Sequence, residues 1–88
     1  MADQLSAFDG PIKRSVTIAG HQTSISLEPV FWAALESAAG ERGLPLSALV
    51  ARIDALRIDR PDPPNLASAI RSWLFLRRLR DKDENVSQ

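Results

Sequence analysis

The side chains that could do chemistry lie mainly in one short alternating stretch of the 88-residue chain. Gln22, Ser24 and Ser26 place an amide and two hydroxyls at every second position, and these groups both donate and accept hydrogen bonds. They lack the features of a catalytic centre, because no carboxylate–histidine pair stands at an informative spacing from a serine. His21 is the only histidine and the chain has no cysteine, so the sequence favours no metal or cofactor site. We therefore expect a binding protein rather than an enzyme.

These polar residues fall on the second of two predicted β-strands. In 12–18 the apolar residues occupy even positions, whereas in 22–27 they occupy odd positions. One uninterrupted strand keeps its apolar residues in a single parity, so a turn or bulge must separate the two runs, with Gly20 as its hinge. The sequence therefore predicts a β-hairpin rather than one long strand.

Three helices are predicted after the hairpin. The first begins at Pro29, since proline suits the first turn of a helix, and it ends near Arg42, before Gly43. Apolar residues at steps of three and four predict a second helix from about Pro45 to Ile58.

A proline-rich linker at 60–64 separates the second helix from the third. Asn65 is a good N-terminal cap, and the third helix is predicted to run to about Arg80. Its apolar residues cover more than one face. We therefore expect this helix to meet a partner on two sides.

Length and charge bound the remaining possibilities. A chain of this size forms one domain, predicted here as 12–80 between a flexible arm (1–11) and a polar tail (81–88). Eleven basic and 11 acidic residues cancel, so binding to nucleic acid or lipid would have to come from a local patch. The sequence has no secretion signal and no apolar run long enough to span a bilayer. We expect a cytoplasmic protein without membrane contact.

The order of these segments resembles the ribbon-helix-helix family, which includes bacterial and phage repressors of the MetJ and Arc type. The likeness is carried by segments 22–29, 41–43 and 47–50 and, more narrowly for a bacterial branch of the family, by 13–21, 31–32 and 65–71. The resemblance implies a mainly α fold with a short β ribbon. It also implies an intertwined homodimer, here with an extra N-terminal strand and a third C-terminal helix.

In such a dimer the strands of two copies pair antiparallel over four shared helices. Pairing of this kind also satisfies the free N–H and C=O groups of an edge strand. The implied dimer core consists of Ile25, Leu27, Phe31, Trp32, Leu35, Leu49, Val50 and Ile53.

The resemblance further implies double-stranded DNA as the partner of this homodimer. The outward strand face would enter the major groove as a two-stranded ribbon, with Gln22, Ser24 and Ser26 on the bases. Phosphates would be contacted by four residues, two of them through amides at the start of the second helix: Lys13, Arg14, Leu46 and Ser47. The chain would then be a DNA-binding transcriptional regulator.

The first strand leaves a second interpretation open. If 12–18 pairs with the second strand, a dimer carries four strands, with about 14 Å between its outer backbones. The major groove is only about 12 Å wide. A detached first strand therefore favours DNA binding. A paired one favours a protein-interaction module that docks a partner through its sheet face or its third helix, and that helix could also build a tetramer.

Overall fold

The computed structural model describes the backbone of residues 8–86 and the side chains of residues 8–82. Two strands precede three helices in this part of the chain: β1 (Ile12–Ile18), β2 (His21–Leu27), α1 (Pro29–Glu41), α2 (Leu46–Ile58) and α3 (Leu66–Val86). This order confirms the predicted mainly helical chain with a β ribbon, an added first strand and an added third helix. Most of the predicted arm, residues 1–7, lies outside the described residues, and residues 8–11 belong to no strand or helix.

The two strands form an antiparallel hairpin joined by a two-residue turn. Pairing runs without a break from Ile12 opposite Leu27 to Ile18 opposite His21. The turn residues Ala19 and Gly20 have φ angles of 51° and 82°, which is the pair of positive values that a type I′ turn requires. Glycine adopts such an angle without a steric penalty. The predicted hairpin with its hinge at Gly20 is therefore confirmed.

Local chemistry also sets the ends of the helices. Pro29 occupies the first turn of α1, where a missing N–H leaves no bond unmade. Gly43, with a φ of 66°, follows the end of that helix in the left-handed conformation that closes helices. At the start of α3, the Asn65 side-chain oxygen accepts a hydrogen bond from the Ser68 amide at 2.8 Å. The predicted cap is thus confirmed.

One chain encloses a core between the inner face of the hairpin and its helices. Helix α2 packs against β1, and α3 packs against β2. The buried apolar side chains are Val16, Ile25, Leu27, Trp32, Leu35, Ala38, Ala39, Leu49, Val50, Ile53, Ile70 and Leu74. The residues predicted as a dimer core all lie in this set, except Phe31, which is half-buried against it. Val16, Ile70 and Leu74 were not predicted, so β1 and α3 contribute to the interior of a single chain.

Helix α3 is longer than predicted and is held to the rest of the chain by arginines. It continues to Val86, so the expected polar tail is helical over most of its length. Two nitrogens of the Arg71 guanidinium donate to the Glu28 carboxylate at 3.0 and 3.2 Å, and Arg77 pairs with Glu41 at the end of α1. These arginines therefore connect α3 to α1 and to the residue before it.

The Glu28 carboxyl should make the stability of the fold depend on pH. A hydrogen bond from its own backbone N–H is the main cause that lowers the pKa of the Glu28 carboxyl below 4.5; partial burial opposes this, and the Arg71 guanidinium reinforces it. A carboxyl with a lowered pKa stabilises the fold above its ordinary titration range, and this contribution is lost as pH falls through the folded-state pKa. We expect Glu28→Gln to lower the free energy of unfolding at neutral pH. The difference from wild type should shrink as the pH falls below 4.5.

Urea unfolding at a series of pH values measures this difference. Glu36→Gln is the matched control, because Glu36 is an exposed partner of Arg14 and exposed ion pairs contribute little to stability. A loss on Glu28→Gln that stays constant from neutral to acidic pH would contradict the assignment.

Candidate functional site

The outward side of the hairpin is a continuous polar surface, here called the outer strand face. Its side chains alternate along each strand with the buried Val16, Ile25 and Leu27, because successive residues of a strand point to opposite sides. All of its members are exposed. The outer strand face consists of three cross-strand pairs: Lys13 with Ser26, Ser15 with Ser24, and Thr17 with Gln22.

The structure brings the three predicted base-contacting residues together on this face. Gln22, Ser24 and Ser26 occupy successive outward positions of β2. Beside them β1 adds Ser15 and Thr17, which had not been singled out for contact with bases. The period-two rule could have identified them, since they stand between the apolar even positions of β1.

Charge on the outer strand face comes from one residue. Lys13 is its single ionisable side chain, and the face carries no carboxylate. Sequence reasoning had placed Lys13 among phosphate contacts and left the base-contacting set without a cation. Its position opposite Ser26 instead puts an ammonium group on the same surface as the three predicted base contacts.

Arg14 lies on the other side of the sheet from Lys13. Its guanidinium stacks over the Trp32 ring at 4.4 Å from the ring centroid, and its Nη1 is 3.3 Å from a carboxylate oxygen of Glu36. The Trp32 Nε1–H donates to the Ile12 carbonyl at 2.9 Å. The contacts of Arg14 and Trp32 thus hold the first half of β1 against α1. Arg14 does not lie beside Lys13, because the two side chains are on opposite sides of the sheet.

The start of α2, predicted as a second phosphate contact, is separate from the outer strand face. Leu46 and Ser47 are half-buried, and their helix packs on the inner side of the sheet. The Pro45 carbonyl accepts hydrogen bonds from the amides of Ala48 and Leu49 at 3.1 and 3.2 Å, and no side chain caps this end. The amides of Leu46 and Ser47 make no backbone hydrogen bond within the described residues. They remain available as donors.

Two shallow apolar grooves flank α3. The α2–α3 groove contains Leu56 and Leu76, and the α1–α3 groove contains Val30 and Phe75. Leu56, Leu76 and Phe75 are 60%, 63% and 62% exposed. Contiguous exposed apolar surface, such as that of Leu56 and Leu76 in one groove, can mark a surface that another protein covers. Helix α3 therefore has one face in the core of the chain and further apolar side chains outside it.

The described part of the chain forms neither a metal-binding cluster nor a membrane-spanning helix. Across residues 8–82, no three histidine, cysteine or acidic side chains come together as they would in a metal site. His21 is exposed beside the hairpin turn. None of the helices described is both long enough and apolar enough to cross a membrane.

Comparison with known proteins identifies a domain family. A family model described as a ribbon-helix-helix domain matches residues 11–77, which include both strands, α1, α2 and the first half of α3. Neither the curated proteins nor the solved structures contain a match.

Proposed function

The chain belongs to the ribbon-helix-helix family, and from this premise we propose that it binds double-stranded DNA and regulates transcription. Domains of this family are typically DNA-binding transcription regulators. The observation that carries the proposal is the outer strand face, which is polar at all six positions, exposed, and free of carboxylates. Such a face offers hydrogen bonds to base edges without repelling phosphate.

The roles of individual residues follow from their positions. Gln22 is suited to a bidentate contact with adenine, and Ser24 and Ser26 can donate to or accept from several bases. The ammonium group of Lys13 is exposed and can contact either a phosphate or a base. The unbonded amides of Leu46 and Ser47 can hold a phosphate as the start of a helix does.

We propose that the protein acts as a homodimer. Domains of this family generally form homodimers, and the exposed Leu56 and Leu76 of the α2–α3 groove offer apolar surface that a second copy would cover. Sedimentation equilibrium at micromolar concentration is expected to give twice the mass of one chain, and Leu56→Asp with Leu76→Asp is expected to give a single chain. A folded monomer in the wild type would contradict this arrangement.

DNA binding is tested by fluorescence anisotropy of the full chain with a labelled pool of random-sequence duplexes. The logarithm of the affinity should fall linearly with the logarithm of the salt concentration, with a slope of about −0.9 for each phosphate neutralised. Lys13→Gln should weaken binding and reduce the slope by at most about one phosphate equivalent. The matched control is Lys82→Gln, because Lys82 is the chain's other lysine and is exposed near the end of α3. Absence of binding by folded protein at low salt would refute the proposal.

A protein-interaction module is the second candidate, and the pairing of β1 with β2 favours it. All seven residues of β1 pair with β2, so two copies joined through β2 would form a four-stranded sheet too wide for the groove. The exposed side chains of α3 would then dock a protein partner. This candidate predicts no salt-dependent affinity for duplex DNA, so the same titration separates the two.

A further inference from the structure

The α1–α3 groove combines apolar side chains with arginines. Its lining includes Val30 and Ala34 of α1 and Leu74, Phe75 and Arg78 of α3. We propose that this groove binds an amphipathic helix of another protein, which seats a large apolar side chain between α1 and α3 and pairs a carboxylate with Arg78. The inference goes beyond DNA binding and does not depend on it. It gives the protein-interaction candidate a defined surface and a partner of defined chemistry.

The spacing of residues in α3 creates this surface. Leu74, Phe75 and Arg78 lie on one face of the helix, because positions three and four apart are neighbours on a helix surface. Leu74 is 5% exposed and forms the floor of the groove, whereas Phe75 is 62% exposed. Val30, at the start of α1, is 39% exposed. Covering these two side chains would remove apolar surface from water, which favours binding of an apolar partner side chain.

The charges in the groove select an acidic partner. Two arginines line it, Arg77 and Arg78, and its lining residues within the described part of the chain include no carboxylate. Arg77 pairs with Glu41 at the end of α1, whereas Arg78 is in no ion pair within residues 8–82. The groove therefore keeps one uncompensated guanidinium, and a carboxylate can pair with its planar set of donors in a bidentate way.

The α2–α3 groove has a different charge pattern. Its lining holds Asp62 as well as Arg57 and Arg60. A twofold dimer brings the same patch of both copies together, so a patch with charges of both signs can pair with itself. A patch with one sign repels itself. The second copy therefore suits the α2–α3 groove, and the α1–α3 groove suits a different chain that carries negative charge.

The size of the groove favours a helix over a small molecule. Its volume is about 290 Å³, just below the range of about 300–1,000 Å³ that is typical of small-molecule pockets. A shallow groove of this size buries little of a small molecule, but it can seat one or two apolar side chains of a helix. Phe75 and Arg78 are one helical turn apart, so the apolar anchor and the carboxylate of the partner should also lie one turn apart.

The test is selection of peptides from a displayed library of random helical sequences against the full chain. Enriched peptides should carry a large apolar residue and an acidic residue one turn away. A fluorescent copy of the strongest peptide, titrated by anisotropy, should bind Phe75→Ser about 30-fold more weakly and Arg78→Glu at least about tenfold more weakly. Two matched controls should keep wild-type affinity: Leu76→Ser, which is equally accessible but in the other groove, and Arg80→Glu, which is exposed and outside the lining.

A charge exchange tests the pairing with Arg78 directly. Replacing the acidic residues of the peptide by lysine should abolish binding to the wild type and restore binding to Arg78→Glu. Enriched peptides without a carboxylate, equal binding by folded Phe75→Ser, or no enrichment at all would each overturn the inference. A lower mass of Phe75→Ser in sedimentation equilibrium would also overturn it, because a second copy would then occupy the groove.

The same variant separates this inference from DNA binding. Phe75 lies on α3, away from the outer strand face, so Phe75→Ser should bind duplex DNA with the affinity of the wild type. A loss of peptide binding alone confirms the groove as a separate site. A loss of both activities in the folded variant would contradict it. If the wild type binds peptide but no duplex, the proposed DNA binding fails and this inference stands.

Discussion

Trp32→Ala is expected to lower the free energy of unfolding by about 3–5 kcal/mol, the cost of removing a large buried aromatic side chain. Trp32 is 4% exposed and connects α1 to the first strand. Its indole donates to the Ile12 carbonyl at 2.9 Å, and its ring carries the Arg14 guanidinium at 4.4 Å. The substitution therefore leaves a cavity and also releases the N-terminal half of β1.

Urea unfolding followed by circular dichroism measures the loss, and Trp73→Ala is the matched control. Trp73 is half-buried and its replacement should cost less. Trp32→Phe separates packing from hydrogen bonding, because it retains a ring and loses the N–H, at a cost of about 1 kcal/mol. Hydrogen exchange should then rise at the amides of β1 more than at those of α2. Equal losses for Trp32→Ala and Trp73→Ala would argue against an anchoring role for Trp32.

The parts of the fold that follow from neighbouring residues could be predicted from the sequence. The change of apolar parity between 12–18 and 22–27 required a turn, and Gly20 provided a residue that tolerates a positive φ. The structure has this hairpin. The Asn65 cap was predictable for the same reason, since it depends on a hydrogen bond to an amide only three residues away.

The partners of charged residues could not be predicted, because they lie far apart in the sequence. Lys13 and Arg14 appeared as a basic pair, yet strand alternation alone implies that they point to opposite sides. The sequence did not show which residues Arg14 would contact. These are a tryptophan 18 residues away and a glutamate 22 residues away. Arg71 likewise meets Glu28 across 43 residues.

For the third helix, the apolar pattern predicted the contacts correctly but not the position of the C-terminal end. An apolar surface on more than one face indicated contacts on two sides, and the structure assigns Ile70 and Leu74 to the core and Phe75 and Leu76 to the surface. The predicted end near Arg80 followed the last apolar residue of the pattern. The polar residues beyond it include several good helix formers and no proline or glycine, so nothing terminates the helix there.

Ile70→Ala should lower the free energy of unfolding by about 2–5 kcal/mol, as expected for truncating a fully buried aliphatic side chain. Ile70 is completely inaccessible to solvent and lies on α3, the helix that packs against β2 and α2. A loss of this size would mean that α3 completes the core of its own chain. The stability of the hairpin, and of its outer strand face, would then depend on α3, which is additional to the two helices in the name of the family.

Leu76→Ala is the matched control on the same helix, because Leu76 is 63% exposed and exposed substitutions usually change stability by less than about 0.5 kcal/mol. If a second copy covers the α2–α3 groove, the effect of Leu76→Ala should appear in the association constant from sedimentation equilibrium. The two leucine-sized truncations therefore separate the roles of α3: Ile70 reports its docking within the chain, and Leu76 reports its contact with another chain. If Ile70→Ala leaves the free energy of unfolding unchanged and the helix content is retained, α3 is not part of the core. Its apolar side chains would then serve only to contact another chain.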